Sequence, residues 1–462
     1  MQKMNEMFEK INQPRNQRPK IITKDIPGSS SKQMRAEEEQ LLAPGIQGLA
    51  VMAGIVVEAA QGSAITDVDG NIFLDIIGGI GVGGIGHSHP TYIAALSQQL
   101  SKSVIGSFSS VARLQLLKLL REHLPTQLER VQLYSSGAEA VESALRLAKA
   151  YTNKWEFVSC WGGFHGKTMG ALSLMGSDFK NEYGPLVPGN HLIPYADCYR
   201  CPFKSTHPQC GLLCIEYARK QLKLNVSKGI AGIIVEPVQG TAGNIIPPKD
   251  YLQALAELAK EWDALLIADE MITGFGRTGS YWGCEQSDVM PDIITIGKQF
   301  GGGFPISAVV SSKKICDSFP WAKPSGSSSS YGGNPLAAAA AAATLKIIDD
   351  EGLVKNSQEV GAHFLQKIQE FPERYPFVGK VSGKGLLLGI ELVEDQKSKV
   401  PLNTNATQKI FYELLHRGVL SMSYSPHFRL QPAMTIDCQT VDNIVGIIKE
   451  VFDLGVTTRP GL

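Results

Sequence analysis

Three charged side chains in the middle of the chain each follow a short apolar run. Glu236 follows Ile-Ile-Val, Asp269 follows Leu-Leu-Ile-Ala, and Lys298 follows Ile-Thr-Ile-Gly. Such short runs, rich in isoleucine and valine, are typical of strands buried on both faces of a parallel sheet. A charge at a strand end often only marks where the chain meets water. The carboxyl ends of parallel strands lie at the same edge of a sheet. Three successive strands that each end in a charged residue therefore predict that these side chains converge in one crevice.

The segments around these runs predict an α/β fold. Tyr251–Lys260 carries apolar residues at helical spacing between the first two runs, so a strand–helix–strand unit is expected. Beyond Leu345 the pattern becomes α+β, which predicts a smaller second domain joined by the N-terminal segment. The expected parts are an N-terminal arm (1–45), a small-domain segment with an interface loop (46–105), a large domain (106–345) and the rest of the small domain (346–462).

The composition is that of an ordinary globular protein. Of the 462 residues, 43% are hydrophobic and 19% are charged. Basic and acidic residues balance at 44 each, so no nucleic-acid surface is predicted. No apolar run approaches the ~20 residues of a membrane helix, and no apolar signal core is visible near the N-terminus. Eight cysteines over this length do not indicate a disulfide framework, and we expect a cytoplasmic location.

A glycine-rich segment, residues 78–90, contains a Gly-x-Gly-x-x-Gly pattern. A dinucleotide-binding loop would need an acidic residue about 20 positions later for the ribose hydroxyl, and none occurs between Asp75 and Glu122. We therefore interpret the segment as a tight loop where the backbone passes close to a ligand or to a neighbouring subunit. Its two histidines, His87 and His89, lack a third metal ligand nearby in the sequence.

Three further segments have the composition of ligand-binding loops. Ser136 opens a predicted helix whose first N–H groups would bind phosphate, although serine is also an ordinary helix N-cap. The serine cluster in residues 325–335 opens an alanine-rich helix and is either an anion loop or a flexible linker. Phe164, in a glycine-rich loop after a strand, would stack on a flat ligand or pack within the protein.

Six motifs, taken in order, resemble one family. They are Ser-Gly-Ala-Glu-Ala from 136, Phe-His-Gly from 164, Glu-Pro-Val-Gln-Gly from 236, Asp-Glu-Met-Ile-Thr-Gly-Phe-Gly-Arg-Thr-Gly from 269, Gly-Lys-Gln-Phe-Gly-Gly-Gly from 297 and Tyr-Gly-Gly-Asn-Pro-Leu-Ala from 331. The chain resembles the class III (ω-amino acid type) aminotransferases, such as 4-aminobutyrate, ornithine and diamine aminotransferases. The resemblance implies pyridoxal 5′-phosphate (PLP) and PLP-dependent transferase fold type I, an α/β architecture with a mostly parallel central sheet in the large domain plus a smaller α+β domain.

The resemblance also implies roles for individual residues. Lys298 would hold the cofactor as a Schiff base and then move a proton, tasks that need an amine able to be neutral. Asp269 would keep the pyridine nitrogen protonated, so that the ring accepts electrons. Arg429 would bind the α-carboxylate of a substrate through a bidentate fork. Glu236 would pair with this arginine when the substrate has no α-carboxylate. Ile80 would line the substrate pocket. The other positions implied to contact the cofactor are Ser136, Gly137, Ala138, Phe164, His165, Glu236, Met271 and Ser330.

A few positions depart from the family pattern. Met271 stands where valine is usual, Ile272 where some members have glutamine, and Thr241-Ala242 where Glu-Gly is common. Ser330 stands where a threonine often reaches the phosphate from the partner subunit, and it retains the hydroxyl. The differences at Ile272 and at Thr241-Ala242 concern the identity of the substrate rather than the chemistry. Shared sites of this kind imply a homodimer, with a tetramer as the alternative.

The expected function is the transfer of an amino group by a ping-pong mechanism. The donor would be an ω-amino acid, a diamine or a similar primary amine, and the acceptor a 2-oxo acid such as 2-oxoglutarate or pyruvate. A PLP-dependent racemase or aminomutase shares every cofactor residue and remains an alternative. A non-catalytic binding protein on the same scaffold is disfavoured by the presence of Lys298, Asp269 and Arg429.

Half of the cysteines lie within 17 residues, at positions Cys198, Cys201, Cys210 and Cys214. Four thiolates at such spacing would suit a tetrahedral zinc ion or an iron–sulfur cluster. Redox-labile thiols and a reduced, packed insertion loop are the alternatives. Because the spacing is not that of a standard zinc ribbon, we predict no bound metal.

Overall fold

The computed structural model describes residues 17–455. The chain forms two compact units. The larger unit is continuous, Ala94–Lys355, and the smaller unit combines Met1–Ile93 with Asn356–Leu462. The breaks thus fall after residues 93 and 355, whereas the sequence placed domain boundaries after residues 105 and 345.

Fourteen strands occur within residues 17–455. In chain order they are β1 (Val57–Gln61), β2 (Ala64–Asp67), β3 (Ile72–Asp75), β4 (Arg130–Tyr134), β5 (Glu156–Cys160), β6 (Asn190–Ile193), β7 (Ile230–Val235), β8 (Leu265–Asp269), β9 (Ile293–Ile296), β10 (Ser307–Ser311), β11 (Val378–Lys384), β12 (Leu387–Leu392), β13 (Val419–Leu420) and β14 (His427–Leu430).

Residues 17–455 also form α-helices and short 3₁₀ turns. The α-helical segments are Ser29–Glu39, Gly48–Ala53, Gly78–Gly81, Pro90–Leu100, Val111–His123, Gly137–Thr152, Met169–Ser173, Leu213–Asn225, Lys249–Glu261, Lys313–Cys316, Pro335–Asp350, Leu353–Ile368, Phe371–Arg374, Thr404–His416 and Cys438–Asp453. Short 3₁₀ turns occur at Asp178–Lys180, Gly283–Ser287 and Lys298–Gly301. None of the helices in the described part of the chain is long and apolar enough to cross a membrane.

The larger unit is built on a seven-stranded sheet with the order β4-β10-β9-β8-β7-β5-β6. The five strands from β9 to β6 run parallel, and β10 lies antiparallel to both of its neighbours, β4 and β9. Every residue of β5, β7, β8 and β9 is buried. The prediction of a mostly parallel central sheet made of doubly buried strands is therefore confirmed.

Helices cover both faces of this sheet. Along β8, Leu265 and Ile267 belong to one apolar cluster and Leu266 to another, as expected when successive side chains point to opposite faces. The first cluster also contains residues of the helix Gly137–Thr152, and the second contains residues of the helix Lys249–Glu261. The latter helix connects β7 to β8, as its apolar spacing predicted.

The smaller unit contains two sheets, with the orders β1-β2-β3-β13 and β11-β12-β14. Asp69-Gly70 lies between two apolar runs, a sequence pattern that predicts a hairpin, and strands β2 and β3 form this antiparallel hairpin. The sequence Gly54-Ile-Val-Val-Glu58 predicts a strand, but this prediction is wrong at its start, because Gly54 has φ +64° and ends the helix Gly48–Ala53. Strand β1 consequently begins only at Val57.

Candidate active site

The ends of three adjacent parallel strands carry the charged side chains singled out by the sequence. Asp269 is the last residue of β8, Glu236 directly follows β7, and Lys298 lies two residues beyond β9. Because β7, β8 and β9 are neighbours and run in the same direction, the three residues lie at the same edge of the sheet. This is the edge at which open α/β sheets bind ligands.

The carboxylate of Asp269 is held by His165. Asp269 Oδ2 lies 2.7 Å from His165 Nδ1, and each side chain is only 1% exposed. The other oxygen of Asp269 accepts a hydrogen bond from the backbone N–H of Met271 over 3.2 Å. Since a buried carboxylate needs such donors to stay charged, this pair fixes the orientation of Asp269.

The charges of Asp269, Glu236 and Lys298 all influence the pKa of His165. Burial lowers the pKa of His165, but the hydrogen bond and charge of Asp269 and the charge of Glu236 outweigh it, so the pKa is raised. The charge of Lys298 acts in the opposite direction. Glu236, Asp269 and Lys298 therefore all influence the protonation of one buried imidazole.

Glu236 makes contacts that the sequence did not suggest. Its carboxylate is buried and accepts hydrogen bonds from the backbone N–H of Phe164 over 2.8 Å and of Gly240 over 3.0 Å. Burial raises the pKa of Glu236 and the charge of Asp269 adds to this effect, against the lowering by His165 and the two N–H donors. Within the larger unit, Glu236 therefore ties the loop of Phe164 to the turn after β7.

The loop of Phe164 packs against the start of the helix Gly137–Thr152. At Gly166, where φ is +126°, a Cβ atom would come within 2.6 Å of Ala138 Cβ. At Gly137, a Cβ atom would come within 3.0 Å of Met271 Sδ. The helix start, the Phe164 loop and Met271 thus lie against one another, and only small residues fit between them.

The hydroxyl of Ser136 acts as a helix cap. Its Oγ accepts a hydrogen bond from the backbone N–H of Glu139, and its carbonyl accepts one from Ser307 Oγ over 2.6 Å. The ordinary N-cap interpretation is therefore what the structure shows for this side chain. A cap leaves further N–H groups of the first turn without intrahelical partners, so the anion-site interpretation applies to the backbone at Gly137 and Ala138.

Lys298 adopts an uncommon backbone conformation. It begins the 3₁₀ turn Lys298–Gly301 with φ +47°, in the left-handed region that costs a non-glycine residue about 1 kcal/mol. Strain of this kind concentrates at functional sites. The preceding residue, Gly297, has no room for a side chain, because a Cβ atom there would lie 2.7 Å from Met271 Sδ.

The serine-rich segment is anchored rather than loose. Ser327 is buried, and its Oγ and carbonyl contact the hydroxyl of Tyr134 over 2.5 Å and 2.8 Å. Asn334 caps the following helix, Pro335–Asp350, through its side chain. Ser330, by contrast, is exposed. The flexible-linker alternative is therefore wrong for the anchored part of this segment.

Two predicted substrate residues belong to the smaller unit. Arg429 lies on β14, is largely buried, and directs Nη2 to Met422 Sδ at 3.2 Å. Ile80 has φ +63° and ψ +49°, a conformation that is a genuine outlier for a β-branched residue. Their proposed roles toward a substrate stay predictions.

The four clustered cysteines are not grouped as a set of metal ligands. Within residues 17–455, no three or more His, Cys, Asp or Glu side chains are placed to hold a metal ion, and none of the eight cysteines forms a disulfide bond. Burial raises the pKa of Cys214 to about 11. A thiol that stays protonated is a poor metal ligand and a poor nucleophile. The metal alternative therefore has no support in this geometry.

Sequence reasoning missed two residues that shape the site. Tyr195 is buried two residues after the end of β6. Its hydroxyl donates to the carbonyl oxygens of Glu236 and Pro237, at 3.1 Å and 3.2 Å. Glu270 is completely buried beside Asp269. A signal for Glu270 existed, because a second charged residue directly after Asp269, in a segment otherwise rich in apolar residues and glycine, must find several donors if it is buried.

Comparison with known proteins identifies the family. The model of the class III aminotransferases matches residues 47–452. A leucine/methionine racemase from Thermococcus litoralis is 33% identical and spans 84% of this chain and 88% of its own length. A diaminobutyrate–2-oxoglutarate aminotransferase from Rhizobium meliloti is also 33% identical, over 86% and 88%. The PLP-bound structure of an amine transaminase from an uncultivated Pseudomonas species superposes with a TM-score of 0.84 at 32% identity, covering 90% of this chain and 98% of that one.

The residues at the strand edge fit the cofactor that this family uses. A buried carboxylate suits a protonated ring nitrogen, and Lys298, at the same edge of the sheet, supplies an amine. The start of the helix Gly137–Thr152 lies against Met271 and has only small side chains at Gly137 and Ala138, as a phosphate group requires. The chain belongs to the class III aminotransferases and is a PLP-dependent transaminase.

Proposed function

We propose that this enzyme moves an amino group from an ω-amino acid, a diamine or a similar primary amine to a 2-oxo acid in two half-reactions. The observation that carries the proposal is that Glu236, Asp269 and Lys298 follow the ends of three adjacent parallel strands, with Asp269 held by His165. Relatives named diaminobutyrate and ornithine aminotransferases, at 33% identity each, support donors with a second amino group. 2-Oxoglutarate and pyruvate are the acceptors that we would test first.

The residues divide the work of the reaction. PLP, when bound, supplies an electron-accepting ring for the carbanion formed at the substrate. Asp269, oriented by His165, would hold the ring nitrogen in its protonated form. The amine of Lys298 would move a proton between the substrate carbon and C4′ of the cofactor. The backbone at Gly137 and Ala138 would bind the phosphate, and Ser136 fixes that backbone through its cap.

The remaining predicted contacts position the two substrates. Phe164 and Met271 would cover the two faces of the ring, and Ile80 would line the entrance for the amine. Arg429 would bind the α-carboxylate of the acceptor as a bidentate partner. Glu236 would pair with Arg429 when the amine carries no such carboxylate, while its backbone contacts to Phe164 and Gly240 hold it in place.

We further infer that the enzyme is a homodimer with shared sites. Large apolar side chains are exposed along one segment of the larger unit, namely Leu100, Val104, Ile105, Phe108, Val111 and Leu114. This segment adjoins the exposed Ser330, since a Cβ atom on Gly106 would lie 3.4 Å from the Ser330 carbonyl oxygen. Ser330 would then reach the phosphate bound by the partner. None of the eight cysteines forms a disulfide bond within the described residues, which agrees with the cytoplasmic location that we propose.

A racemase is the second candidate function. A leucine/methionine racemase, an isoleucine 2-epimerase and an alanine/serine racemase are 31–33% identical to this chain, as similar as the aminotransferases are. Both activities would use the same cofactor residues. A racemase inverts one amino acid without consuming a 2-oxo acid, so a product assay separates the two.

The proposal is tested by titrating the purified chain with PLP and by supplying a panel of amines with 2-oxoglutarate or pyruvate. We expect a visible absorption band of the bound cofactor, and transfer of the amino group to the oxo acid. Lys298→Ala should abolish the transfer and the lysine-dependent band. A wild-type chain that binds PLP but only inverts amino acids, or one that shows no band, would overturn the aminotransferase proposal.

A further inference from the structure

The turn that carries Lys298 is anchored by the two residues that follow it. Gln299 Nε2 donates a hydrogen bond to the carbonyl oxygen of Gly274. The ring of Phe300 stacks on the ring of Phe275, with centroids 5.1 Å apart and planes 7° from parallel. Gln299 is 1% exposed and Phe300 is fully buried. Because φ of Lys298 is strained at +47°, the turn depends on such outside contacts to keep its shape.

The segment that receives these contacts is fixed in turn by Glu270. Both carboxylate oxygens of Glu270 are used, accepting hydrogen bonds from the backbone N–H of Gly283 over 2.9 Å and of Cys284 over 2.8 Å, and from Thr273 Oγ1. The backbone of Glu270 also bonds to β9 and to Gly274, through Thr295 O at 3.0 Å and Gly274 N at 3.1 Å. Residues 270–284 therefore form a closed loop, the Glu270 loop, seated on the end of β9.

These contacts make a continuous path between the two residues that would act on the cofactor. The path leads from Asp269 through its neighbour Glu270 to Gly274, and then through Gln299 back to Lys298. Each link is covalent or is a buried hydrogen bond. Because buried donors and acceptors are costly to leave unmade, the Lys298 turn cannot shift away from Asp269 without breaking one of them.

We propose that Gln299, supported by the Glu270 loop, is a positioning residue that sets the distance of the Lys298 amine from Asp269. The inference rests on the proposed function, since it assigns Lys298 and Asp269 to opposite ends of one cofactor. Gln299 acts through the backbone of Lys298 and through Gly274. The other polar atom of the Gln299 side chain, Oε1, has no hydrogen-bond partner within the described residues. The hydrogen bond to Gly274 is therefore the polar contact through which this side chain holds the turn.

The test compares Gln299→Met with Gln286→Met. Methionine keeps the length and shape of glutamine but has no N–H donor. Gln286 is a matched control, because its Nε2 donates to the carbonyl of Thr278 over 2.6 Å in the same loop but it is not adjacent to Lys298. Both variants therefore lose a bond from a glutamine amide to a backbone carbonyl of the Glu270 loop.

We expect Gln299→Met to lower kcat about tenfold with KM changed by less than about threefold, because a misplaced amine affects the chemical step more than binding. The pH at which the visible band of the bound cofactor changes should shift as well, since this pH depends on the surroundings of the amine. Gln286→Met should match the wild type in both respects. Equal kcat and equal band midpoint in Gln299→Met and wild type would overturn the inference, as would an equal loss in the two variants.

A second variant keeps the test decisive if Gln299→Met does not fold, which thermal unfolding of the cofactor-free chain would reveal. Thr273→Val keeps the side-chain volume but removes one donor to Glu270. It should lower kcat in the same direction by a smaller factor, with the same shift in the band midpoint. An unchanged midpoint and kcat in folded Thr273→Val would contradict the role of the loop. Failure of the proposed function itself would differ, because the wild type would then transfer no amino group.

Discussion

His165 holds the carboxylate of Asp269, and the hydrogen bond between the two side chains can be removed selectively. His165→Leu would leave the buried carboxylate with the N–H of Met271 as its remaining hydrogen-bond donor within residues 17–455. We expect cofactor affinity and kcat each to fall at least about tenfold, because an unsatisfied buried carboxylate costs roughly 1–3 kcal/mol or more. His165→Asn, which restores an N–H near the position of Nδ1, should recover part of the loss. Cofactor titration and steady-state kinetics give both quantities.

A matched control lies on β6. His191 Nε2 contacts Glu156 Oε2 over 2.7 Å, the same distance as in the His165–Asp269 pair, but Glu156 sits at the opposite end of β5 from the Phe164 loop. His191→Leu should lower the free energy of unfolding without lowering cofactor affinity. If both substitutions weakened the cofactor equally, the special role of His165 would be refuted.

The same bond predicts a pH dependence of stability. The pKa of His165 is raised in the folded chain, since the interactions with Asp269 and Glu236 outweigh the lowering by burial. A group whose folded pKa is raised stabilises fully below its unfolded value, about 6.5, and loses this contribution as pH rises through the folded pKa. The difference in unfolding free energy between the cofactor-free wild type and His165→Leu should therefore be largest below about pH 6.5 and narrow as the pH rises above it. A difference that grew with pH would contradict this sign.

At the scale of elements, the contact between the Phe164 loop and the helix Gly137–Thr152 depends on Gly166. A methyl group there would lie 2.6 Å from Ala138 Cβ and 2.9 Å from Ala138 Cα, in a backbone conformation with φ +126°. Since backbone atoms cannot yield as a flexible side chain can, Gly166→Ala should push the loop away from the helix start. We expect a lower free energy of unfolding and a weaker affinity for inorganic phosphate as well as for PLP, measured by chemical denaturation and by titration.

Gly229→Ala separates this clash from simple backbone strain. Gly229 also has positive φ, at +100°, but a methyl group would meet only the flexible side chain of Lys154, at 3.2 Å. Gly229→Ala should therefore cost about 1 kcal/mol, the price of left-handed backbone for alanine, and leave cofactor affinity unchanged. Equal effects of the two substitutions on affinity would mean that the loop–helix contact does not shape the site.

The sequence could predict the elements better than the contacts between them. The apolar runs that end in Glu236, Asp269 and Lys298 are local patterns, and local patterns determine which segments become buried strands. The order of the strands is not local. His165 and Asp269 are 104 positions apart, and their meeting requires that β7 lie between β5 and β8, which no spacing in the sequence states.

Backbone conformations were also hard to foresee from residue type. Glycine at 54 ends a helix where a strand was expected, and Ile80 and Lys298 adopt left-handed conformations that their own preferences oppose. In each case tertiary packing overrides the local preference. The contacts of the Glu236 carboxylate to two backbone N–H groups depend in the same way on loops brought together by the sheet.

At the scale of the whole molecule, the exposed apolar segment from Leu100 to Leu114 would form the interface of the dimer that we propose. Phe108 is 81% exposed and Ile105 is 78% exposed, and contiguous apolar surface of this kind marks interaction sites. The segment adjoins Ser330, whose hydroxyl would serve the site of a second copy. A substitution that prevents assembly of the dimer should therefore also weaken binding of the cofactor.

Phe108→Asp tests this coupling, because a charge at the centre of an apolar interface is left buried and unpaired in a dimer. We expect sedimentation to show a dimer for the wild type and a monomer for Phe108→Asp, with cofactor affinity at least about tenfold weaker in the monomer. Leu224→Asp is the matched control, since Leu224 is 85% exposed on the helix Leu213–Asn225, away from the apolar segment in the sequence, and should stay dimeric and retain the cofactor. A monomeric Phe108→Asp that binds PLP as tightly as the wild type would show that each chain completes its own site, and a dimeric, fully active Phe108→Asp would place the interface elsewhere.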